Sequence, residues 1–329
     1  MLGLSALFHG KDPMSQPLNS GIQDGLDAWL AAAGFPACEP NPLPGDVSPR
    51  RYTRLVGADG ASAILATYPP EVRGTCPRFL RTTALLEQAG VPVPRVLASS
   101  CEEGWMLVQD LGPQTLAEWG RGRSWEELLP WFETALGLAG RIGRIPVEAV
   151  ADLNPRLGGE LLRKELQQTW DLYLQPRGLA TPALGAVLDE LCANLDAEAP
   201  VSCHRDFMVR NLMPLSSGDL VVLDHQDLRL GPPAYDVASL LNDTLFPAPE
   251  VEEALLSLSG AERLSYHRAA AQRTLKAVGT YASFALRGAD RHLPLVAPTL
   301  SRCLHHLARV PEGAPVVPAL AKAWATVIC

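Results

Sequence analysis

The segment from Val201 to Asp243 places several polar residues around one short apolar run, and it constrains this chain more than any other feature. Asp206 and Asn211 lie close together in HRDFMVRN, and the apolar run LVVL follows and ends abruptly at Asp224. A short apolar run of this kind is typical of a buried strand. The segment therefore predicts a tight polar loop, followed by a strand that presents a carboxylate just past its end.

These three residues have the types and the order of a phosphoryl-transfer site. In such a site one Asp accepts the proton of the acceptor hydroxyl, while an Asn and a second Asp hold Mg²⁺ against the ATP phosphates. Each piece alone is weak, because an Asp after an apolar run often only stabilises a turn. The ordered set is more specific, since Asp236 follows in GPPAYDVASLL and opens an apolar helical stretch. We therefore predict Asp206 as the base and Asn211 and Asp224 as Mg²⁺ ligands.

The motifs HRDF..RNLM, LDHQD and GP..YDVASLL, with the trailing Asp243, resemble the aminoglycoside phosphotransferase/choline kinase superfamily. They are most similar to its anomeric N-acetylmuramate and N-acetylglucosamine kinases of peptidoglycan recycling, because of Gln226-Asp227 and the run Tyr235–Leu241. The resemblance implies an α+β, protein-kinase-like, two-lobed fold with a small β-rich N-lobe and a larger helical C-lobe. We expect a loose leader at 1–20, an N-lobe over 21–110, and a C-lobe with catalytic loop, metal site and acceptor site over 111–329.

The same resemblance implies ATP- and Mg²⁺-dependent transfer to an amino sugar, with the anomeric hydroxyl as the favoured acceptor. An anomeric hydroxyl is more acidic than an ordinary sugar alcohol, so a carboxylate base can orient it and take its proton late. His204 is expected to support the loop through hydrogen bonds. Asp236 is expected to accept backbone N–H groups from behind the loop.

The loop over the ATP phosphates is expected to include Ser48, because GDVS is similar in position to the corresponding loop of the amino-sugar kinases. Protein kinases carry a Lys on the strand after this loop. Here the strand AILATYP has Thr67 at that place. We hypothesise that Arg51, or its neighbours Arg50 and Arg54, supplies part of the missing charge, and the alternative is that these arginines are solvated strand charges.

The segment GWMLVQDLGPQTL resembles the hinge of the superfamily, where backbone groups of an extended linker hold the adenine. By position, Gln109, Asp110 and Leu111 are assigned to nucleotide binding. Backbone contacts require no special side chain, so this assignment depends on the resemblance.

Three residues are assigned to the acceptor sugar: Glu165, Arg210 and Asp227. Glu165 lies in LRKELQQTW, which is similar to a helix of the sugar-kinase branch, and the alternative is an exposed helix charge. The Gln226-Asp227 pair lies just past the metal Asp, and its alternative is a pair that stabilises a turn.

The periodicity and the capping signals also predict several elements. We expect helices over 21–33, 76–89, 159–174 and 182–195, and a hairpin over 52–67 with its turn at Ala58-Asp59-Gly60. Ser124 and Glu127 form a capping box that starts a helix, which Pro130 should kink or restart. Three or four Ala/Leu-rich helices are expected beyond Asp243.

Composition and net charge limit the kinds of partner that we expect for this chain. The chain of 329 residues has a net charge of −8 and a pI near 5.4, without a dense Lys/Arg run, so we expect neither nucleic acid nor an anionic membrane as a partner. No apolar stretch is long enough to span a bilayer. The seven cysteines show no C-x-x-C and favour a reducing, cytoplasmic setting over a disulfide framework. His305-His306 has no third ligand at metal spacing, so no zinc site is expected.

Two other interpretations remain open at this point. One keeps the enzyme and changes the acceptor to an aminoglycoside, a choline-like molecule or another small molecule. The other is a non-catalytic nucleotide-binding protein, which the missing Lys suggests and which the presence of a base and two metal ligands disfavours.

Overall fold

The computed structural model describes residues 20–43 and 49–328. Its contacts divide the chain into two units, one of Met1–Thr67 with Val96–Asp110 and one of Tyr68–Arg95 with Leu111–Cys329. The first unit ends at Asp110, where the N-lobe was expected to end, but residues 68–95 group with the second unit. Most of the expected leader (1–19) and Ser48 lie outside the described residues.

The first unit is one helix on an antiparallel sheet with strand order β1-β2-β3-β5-β4. Its elements are α1 (Ser20–Ala32), β1 (Glu39–Pro42), β2 (Arg51–Val56), β3 (Ser62–Thr67), β4 (Val96–Ser100) and β5 (Trp105–Gln109). Leu26 and Leu30 of the helix pack with Leu55, Leu65 and Leu107 of the sheet in one apolar cluster. The cluster explains the helix, because its apolar side chains recur at a spacing of four residues.

The predicted hairpin is present as β2 and β3. Gly60 has a φ of 82° in its turn, and the Ala61 backbone N–H donates to Asp59 Oδ1 over 3.0 Å. A Gly supplies this left-handed conformation without steric cost. In contrast, β1 falls in a Pro-rich stretch for which the sequence predicted no strand. It lies at the edge of the sheet, where proline is tolerated because half of the backbone groups need no partner strand.

The second unit is mainly helical, with two short antiparallel strand pairs. The helices are α2 (Cys76–Gln88), α3 (Leu116–Trp119), α4 (Trp125–Gly143), α5 (Val147–Val150), α6 (Gly159–Thr169), α7 (Pro182–Asp196), α8 (Tyr235–Leu241), α9 (Pro249–Ser259), α10 (Arg263–Leu286), α11 (Val296–Leu307) and α12 (Val317–Ile328). The strand pairs are β6 (Val201–Cys203) with β9 (Arg229–Gly231), and β7 (Leu212–Pro214) with β8 (Leu220–Val222). The prediction of an α+β protein with four helices after Asp243 is confirmed for the described residues.

Residues 68–95 belong to the second unit because α2 is bonded to the loop that follows β8. His225 is fully buried in that loop, with its Nδ1 2.9 Å from Thr82 Oγ1 and its Nε2 3.3 Å from Thr83 Oγ1. Val222 of β8 also donates its backbone N–H to Pro92 O over 2.8 Å. The hydrophobic pattern of α2 predicted a helix at this place but could not show which half of the chain it packs on.

The helix starts follow the sequence signals. The Ser124 side chain accepts the Glu127 backbone N–H while Glu127 accepts the Ser124 N–H, which is the expected capping box, and Thr181 caps α7. The expected restart at Pro130 is wrong, because α4 runs through it from Trp125 to Gly143. The proline removes a single backbone donor, and the buried residues on the rest of the helix offset that loss.

Helices α6 and α10 cross closely at Thr169 and Gly279. The Thr169 hydroxyl donates to the Leu275 carbonyl over 2.7 Å, and a Cβ added to Gly279 would lie 2.6 Å from the Thr169 backbone N. A π-helical segment, Trp170–Leu174, continues α6 directly after this point. One turn before the crossing, Glu165 of α6 comes within 3.3 Å of Lys276 of α10. The close approach therefore positions two charged side chains of the site described below.

Among the described residues, no helix is both long and apolar enough to cross a membrane. Cys38, Cys192, Cys203 and Cys303 are free thiols. Cys76 and Cys101 are disulfide-bonded, so the expectation of reduced cysteines is wrong for these two residues.

Candidate active site

The loop between β6 and β7 is held from behind by Asp236, in the first turn of α8. Its carboxylate accepts the backbone N–H of His204 at 2.7 Å and that of Arg205 at 2.9 Å, and Cys203 Sγ lies 3.1 Å away. Arg205 has a φ of 76°, a strained conformation for a residue with a side chain. The two hydrogen bonds fix that conformation and direct Asp206, the next residue, out of the loop.

His204 connects this loop to the end of β8. Its ring is fully buried, and Nε2 lies 2.9 Å from the Leu223 carbonyl, which can only accept, so Nε2 carries the proton. Nδ1 is buried without a hydrogen-bond partner among the described residues. This geometry is that of a supporting residue, since the ring bonds to the backbone just before Asp224.

Asp206 is surrounded by three cations. Arg273 Nη2 and Lys276 Nζ lie 3.2 and 3.8 Å from its Oδ1, and Arg205 Nη1 lies 3.8 Å from its Oδ2. Burial alone would raise the pKa of this carboxyl, but the three cations outweigh burial and hold the pKa well below its ordinary value. Asp206 is therefore ionised at neutral pH and can accept a proton or orient a hydroxyl group.

Asn211 and Asp224 are brought together by the β7–β8 pair. The Asn211 side-chain N–H donates to the Asp206 carbonyl over 2.9 Å, so its Oδ1 is left as an acceptor. The Leu223 N–H donates to the Asn211 carbonyl over 2.8 Å, which places Asp224 beside Asn211. An amide oxygen and a carboxylate are hard oxygen ligands of the kind that Mg²⁺ prefers, so these residues fit such an ion.

Gln226 makes a contact within its own turn, which agrees with the turn-stabilising alternative for this residue. Its side-chain N–H donates to Asp224 Oδ1 over 2.7 Å, and its own Oε1 is buried without a partner among the described residues. Asp224 has a φ of 56° at this turn. The amide therefore orients the carboxylate of the predicted metal ligand rather than reaching toward an acceptor.

Arg205 is a site residue that the sequence analysis missed. Its guanidinium donates to Glu165 Oε1 at 2.6 Å and to Asp227 Oδ2 at 3.0 Å, and Arg229 lies 3.4 Å from the other oxygen of Asp227. The Glu165 side chain is 9% exposed, so the alternative of an exposed helix charge is excluded. The signal was available, because Arg205 lies inside the HRD motif itself.

Arg210 pairs with another acidic residue. Its Nη2 and Nε donate to Asp243 Oδ1 over 2.7 and 3.0 Å, and the Asp243 side chain is 2% exposed. This pair explains the trailing Asp243 of the motif as the partner of Arg210. The assignment of Arg210 to the acceptor sugar stays a prediction.

Arg273 and Lys276 were also missed, because they lie far downstream in α10. They are spaced i, i+3 in YHRAAAQRTLKAVGTY and therefore share one face of the helix. A pair of basic residues on an otherwise apolar face was the signal that could have indicated them.

The residues before position 112 that were predicted to bind the nucleotide lie in both units. In the first unit, Arg54 Nε and Nη2 donate to the two oxygens of Asp110 over 2.7 and 3.1 Å, so Asp110 neutralises this arginine. Arg51 is exposed, and the Thr67 hydroxyl lies 3.5 Å from its carbonyl. Gln109 is the last residue of β5, and Leu111 belongs to the second unit.

The histidine pair near the C-terminus does have a third potential ligand, contrary to expectation. Ligand atoms of Glu252, His305 and His306 lie within 4.8 Å of one another. However, Arg302 donates to both oxygens of Glu252 over 2.7 and 2.8 Å, and His306 Nε2 lies 2.8 Å from Asn242 Oδ1. The arginine occupies the carboxylate that a metal would need, so the cluster is an internal hydrogen-bond network.

Comparison with known proteins decides the family. A sequence profile of the "Phosphotransferase enzyme family" matches residues 39–273. The chain belongs to this family. It is 36% identical over 256 residues to a curated N-acetylmuramate/N-acetylglucosamine kinase of Pseudomonas aeruginosa, covering 74% of this chain and 73% of the relative.

Two solved structures share the fold of this phosphotransferase. The aminoglycoside phosphotransferase APH(2'')-Ib with bound ADP has a TM-score of 0.57 at 16% identity, covering 87% of this chain and 97% of that one. The choline kinase LicA of Streptococcus pneumoniae has a TM-score of 0.61 at 13% identity, covering 87% and 98%. The predicted protein-kinase-like α+β fold is thereby confirmed, and the predicted ATP-dependent phosphotransferase activity follows from the family.

Proposed function

We propose that this phosphotransferase moves the γ-phosphoryl group of ATP to a hydroxyl of an N-acetylated amino sugar in a Mg²⁺-dependent reaction. The anomeric hydroxyl of N-acetylmuramate or N-acetylglucosamine is the proposed acceptor. The name of the Pseudomonas aeruginosa relative supports the sugar, and the Asp206 loop supports the chemistry. The proposed setting is the cytoplasm, in cell-wall sugar recycling.

Asp206 is the proposed catalytic base. It orients the acceptor hydroxyl and takes its proton as the new oxygen–phosphorus bond forms. Its lowered pKa keeps it ionised, and a loose transition state requires little proton transfer before the phosphoryl group has moved. Asn211 and Asp224 would hold Mg²⁺, which supplies positive charge to the phosphates when bound. Gln226 and His204 keep the Asp224 loop in place.

The ion pairs of three acidic residues indicate which class of acceptor the site favours. Glu165 is bonded to Arg205, Asp227 to Arg205 and Arg229, and Asp243 to Arg210. A polycationic antibiotic or a quaternary amine needs carboxylates whose charge is still available. Here arginines of the same chain already neutralise these carboxylates. The arrangement therefore favours an uncharged or anionic acceptor over a cationic one.

Glu165 still offers one acceptor atom. Its Oε1 is bonded to Arg205, whereas its Oε2 is buried without a hydrogen-bond partner among the described residues. A buried carboxylate oxygen without a partner is costly, unless a ligand donates to it. A sugar hydroxyl or an acetamide N–H has the required chemistry, so we assign Glu165 to acceptor binding.

The test is an acceptor panel of N-acetylglucosamine, N-acetylmuramate, an aminoglycoside and choline, each with ATP and Mg²⁺ and with coupled detection of ADP. We expect turnover with the two N-acetyl sugars only, and background ADP release with the cationic acceptors. Asp206→Asn serves as the background control. Preferred turnover of a cationic acceptor would contradict the proposal. A thermal shift with ATP and Mg²⁺, but no turnover on any acceptor, would indicate a non-catalytic binder.

A further inference from the structure

Two cations of α10 lie beside Asp206, where a transferred phosphoryl group would pass. Arg273 is fixed by its Nε, which donates to Ser239 Oγ over 3.2 Å, and its Nη2 points to Asp206 Oδ1 at 3.2 Å. Lys276 Nζ lies 3.3 Å from Glu165 Oε1 and 3.8 Å from Asp206 Oδ1. Both side chains reach the proposed base from the same helix face.

Lys276 carries unused donors. Its side chain is 11% exposed, and among the described residues its ammonium makes two ion pairs but no hydrogen bond. An ammonium group has three N–H donors, and a nearly buried one is expected to find acceptors. The ammonium therefore has N–H donors left for an incoming acceptor atom.

The charges around Asp206 leave room for an anion. Arg205, Arg273 and Lys276 contact the two carboxylates Asp206 and Glu165. Arg205 also contacts Asp227, which pairs with Arg229, so four positive charges face three negative ones in a partly buried place, where charges are poorly screened. An incoming anionic group would be attracted to the cations despite the ionised base.

The geometry of transfer defines where that anion lies. The base must be within about 2.6–3.2 Å of the acceptor oxygen, and that oxygen is about 3–3.5 Å from the phosphorus it attacks. The phosphorus is then roughly 6 Å from Asp206, within reach of an ammonium on a flexible four-carbon stem. A cation beside the base can therefore reach the transferred group.

We propose that Lys276 and Arg273 donate to the non-bridging oxygens of the phosphoryl group during transfer, which rests on the function proposed above. In this step the acceptor oxygen forms a bond to the γ-phosphorus, and the bond from that phosphorus to the β–γ bridging oxygen breaks. ADP leaves with the electron pair, and the acceptor proton goes to Asp206. The two cations supply charge that the strand residue Thr67 cannot supply.

The test measures binding of a phosphoryl-transfer analogue that needs no turnover. ADP and ADP with aluminium fluoride are titrated, each with Mg²⁺, into the wild-type protein, Lys276→Met, Arg273→Met and Lys276→Arg. Lys164→Met is the matched control, because Lys164 is an exposed lysine on α6 beside Glu165. We expect Lys276→Met and Arg273→Met to lose about 100-fold or more in analogue affinity and in kcat, the usual effect of removing one donor at a developing charge. The ADP affinity and the acceptor KM should stay near wild type, Lys276→Arg should recover part of the loss, and Lys164→Met should lose nothing.

Two outcomes would overturn the proposal. Unchanged analogue affinity, with only an upward shift of the acid limb of the pH profile, would show that the cations act on Asp206 alone. A loss confined to the KM of the carboxylate-bearing N-acetylmuramate, with N-acetylglucosamine unaffected, would show that they bind the acceptor. If Lys276→Met does not fold, as judged by thermal unfolding, Lys276→Gln and Lys276→Arg decide between the same outcomes. Failure of wild-type protein to bind ADP would instead count against the proposed function itself.

Discussion

The crossing of α6 and α10 gives a prediction whose size follows from the structure. In Gly279→Ala the new Cβ would lie 2.6 Å from the backbone N of Thr169 and 2.8 Å from its Cα. These atoms cannot rotate away, so one of the two helices must shift. Overpacking of this kind costs about 1–3 kcal/mol, and Ala returns about 1 kcal/mol of helix propensity. We expect a net loss of up to about 2 kcal/mol in the free energy of unfolding.

The matched control is Gly137→Ala in α4. A Cβ there meets nothing within 4 Å, so only the helix propensity changes. We expect this variant to gain up to about 1 kcal/mol, so the two variants should differ by the overpacking cost of about 1–3 kcal/mol. Urea unfolding followed by circular dichroism measures the difference, provided that both variants have the same slope against denaturant.

The same substitution should also affect the site. Glu165 and Lys276 lie about one turn or less from the crossing, so a helix shift changes their position relative to each other and to Asp206. A displacement of about 1 Å in catalytic groups can cost about 100-fold in rate. The reasoning would be refuted if Gly279→Ala were as stable as Gly137→Ala and kept full activity.

Three further predictions concern the site and its surroundings. Asp206→Asn removes only the proton acceptor, so it should lower kcat by about 100-fold or more and leave ATP affinity near wild type. A rate near that of the wild type would exclude Asp206 as the base. Gln226→Leu removes the hydrogen bond that orients Asp224, so it should weaken Mg²⁺ binding by about 10–100-fold in a titration with ATP present. An unchanged Mg²⁺ affinity would contradict this role of Gln226. Burial, and to a smaller extent the charge of Arg309, lowers the pKa of His267 from 6.5 to about 4. The contribution of neutral His267 to the free energy of unfolding should therefore be complete above pH 6.5 and decrease as the pH falls toward 4. In His267→Gln the urea midpoint should depend less on pH over that window, and an unchanged dependence would be the opposing result.

The proposed base and metal ligands could be predicted from the sequence because they are close together in the chain. Asp206, Asn211 and Asp224 lie on one loop and the following hairpin, where spacing alone determines which side chains can meet. The Asp236 contacts to the loop backbone agree with the expected support, because a helix that opens with a buried Asp has its carboxylate near free N–H groups.

The rest of the site depends on contacts between segments far apart in the chain. Lys276 lies close to Glu165 because Gly279 lets α10 approach α6, and a glycine inside a helix gives no sign in the sequence of which helix it faces. Arg302 and Glu252 likewise become partners only after α9 and α11 pack together. Similarly, β1 was not predicted, because proline is disfavoured in strands. Its position at the edge of the sheet, where proline is tolerated, becomes known only from the structure.

The central claim is that Asp206 directs phosphoryl transfer to the anomeric oxygen of an N-acetyl sugar. The most direct measurement is ³¹P NMR of the product formed from N-acetylglucosamine, ATP and Mg²⁺, recorded with proton coupling. We predict a phosphate signal coupled to the single anomeric proton, and its absence with Asp206→Asn. A phosphate coupled to the two protons of the sugar's primary alcohol, or a product signal that persists in Asp206→Asn, would contradict the account.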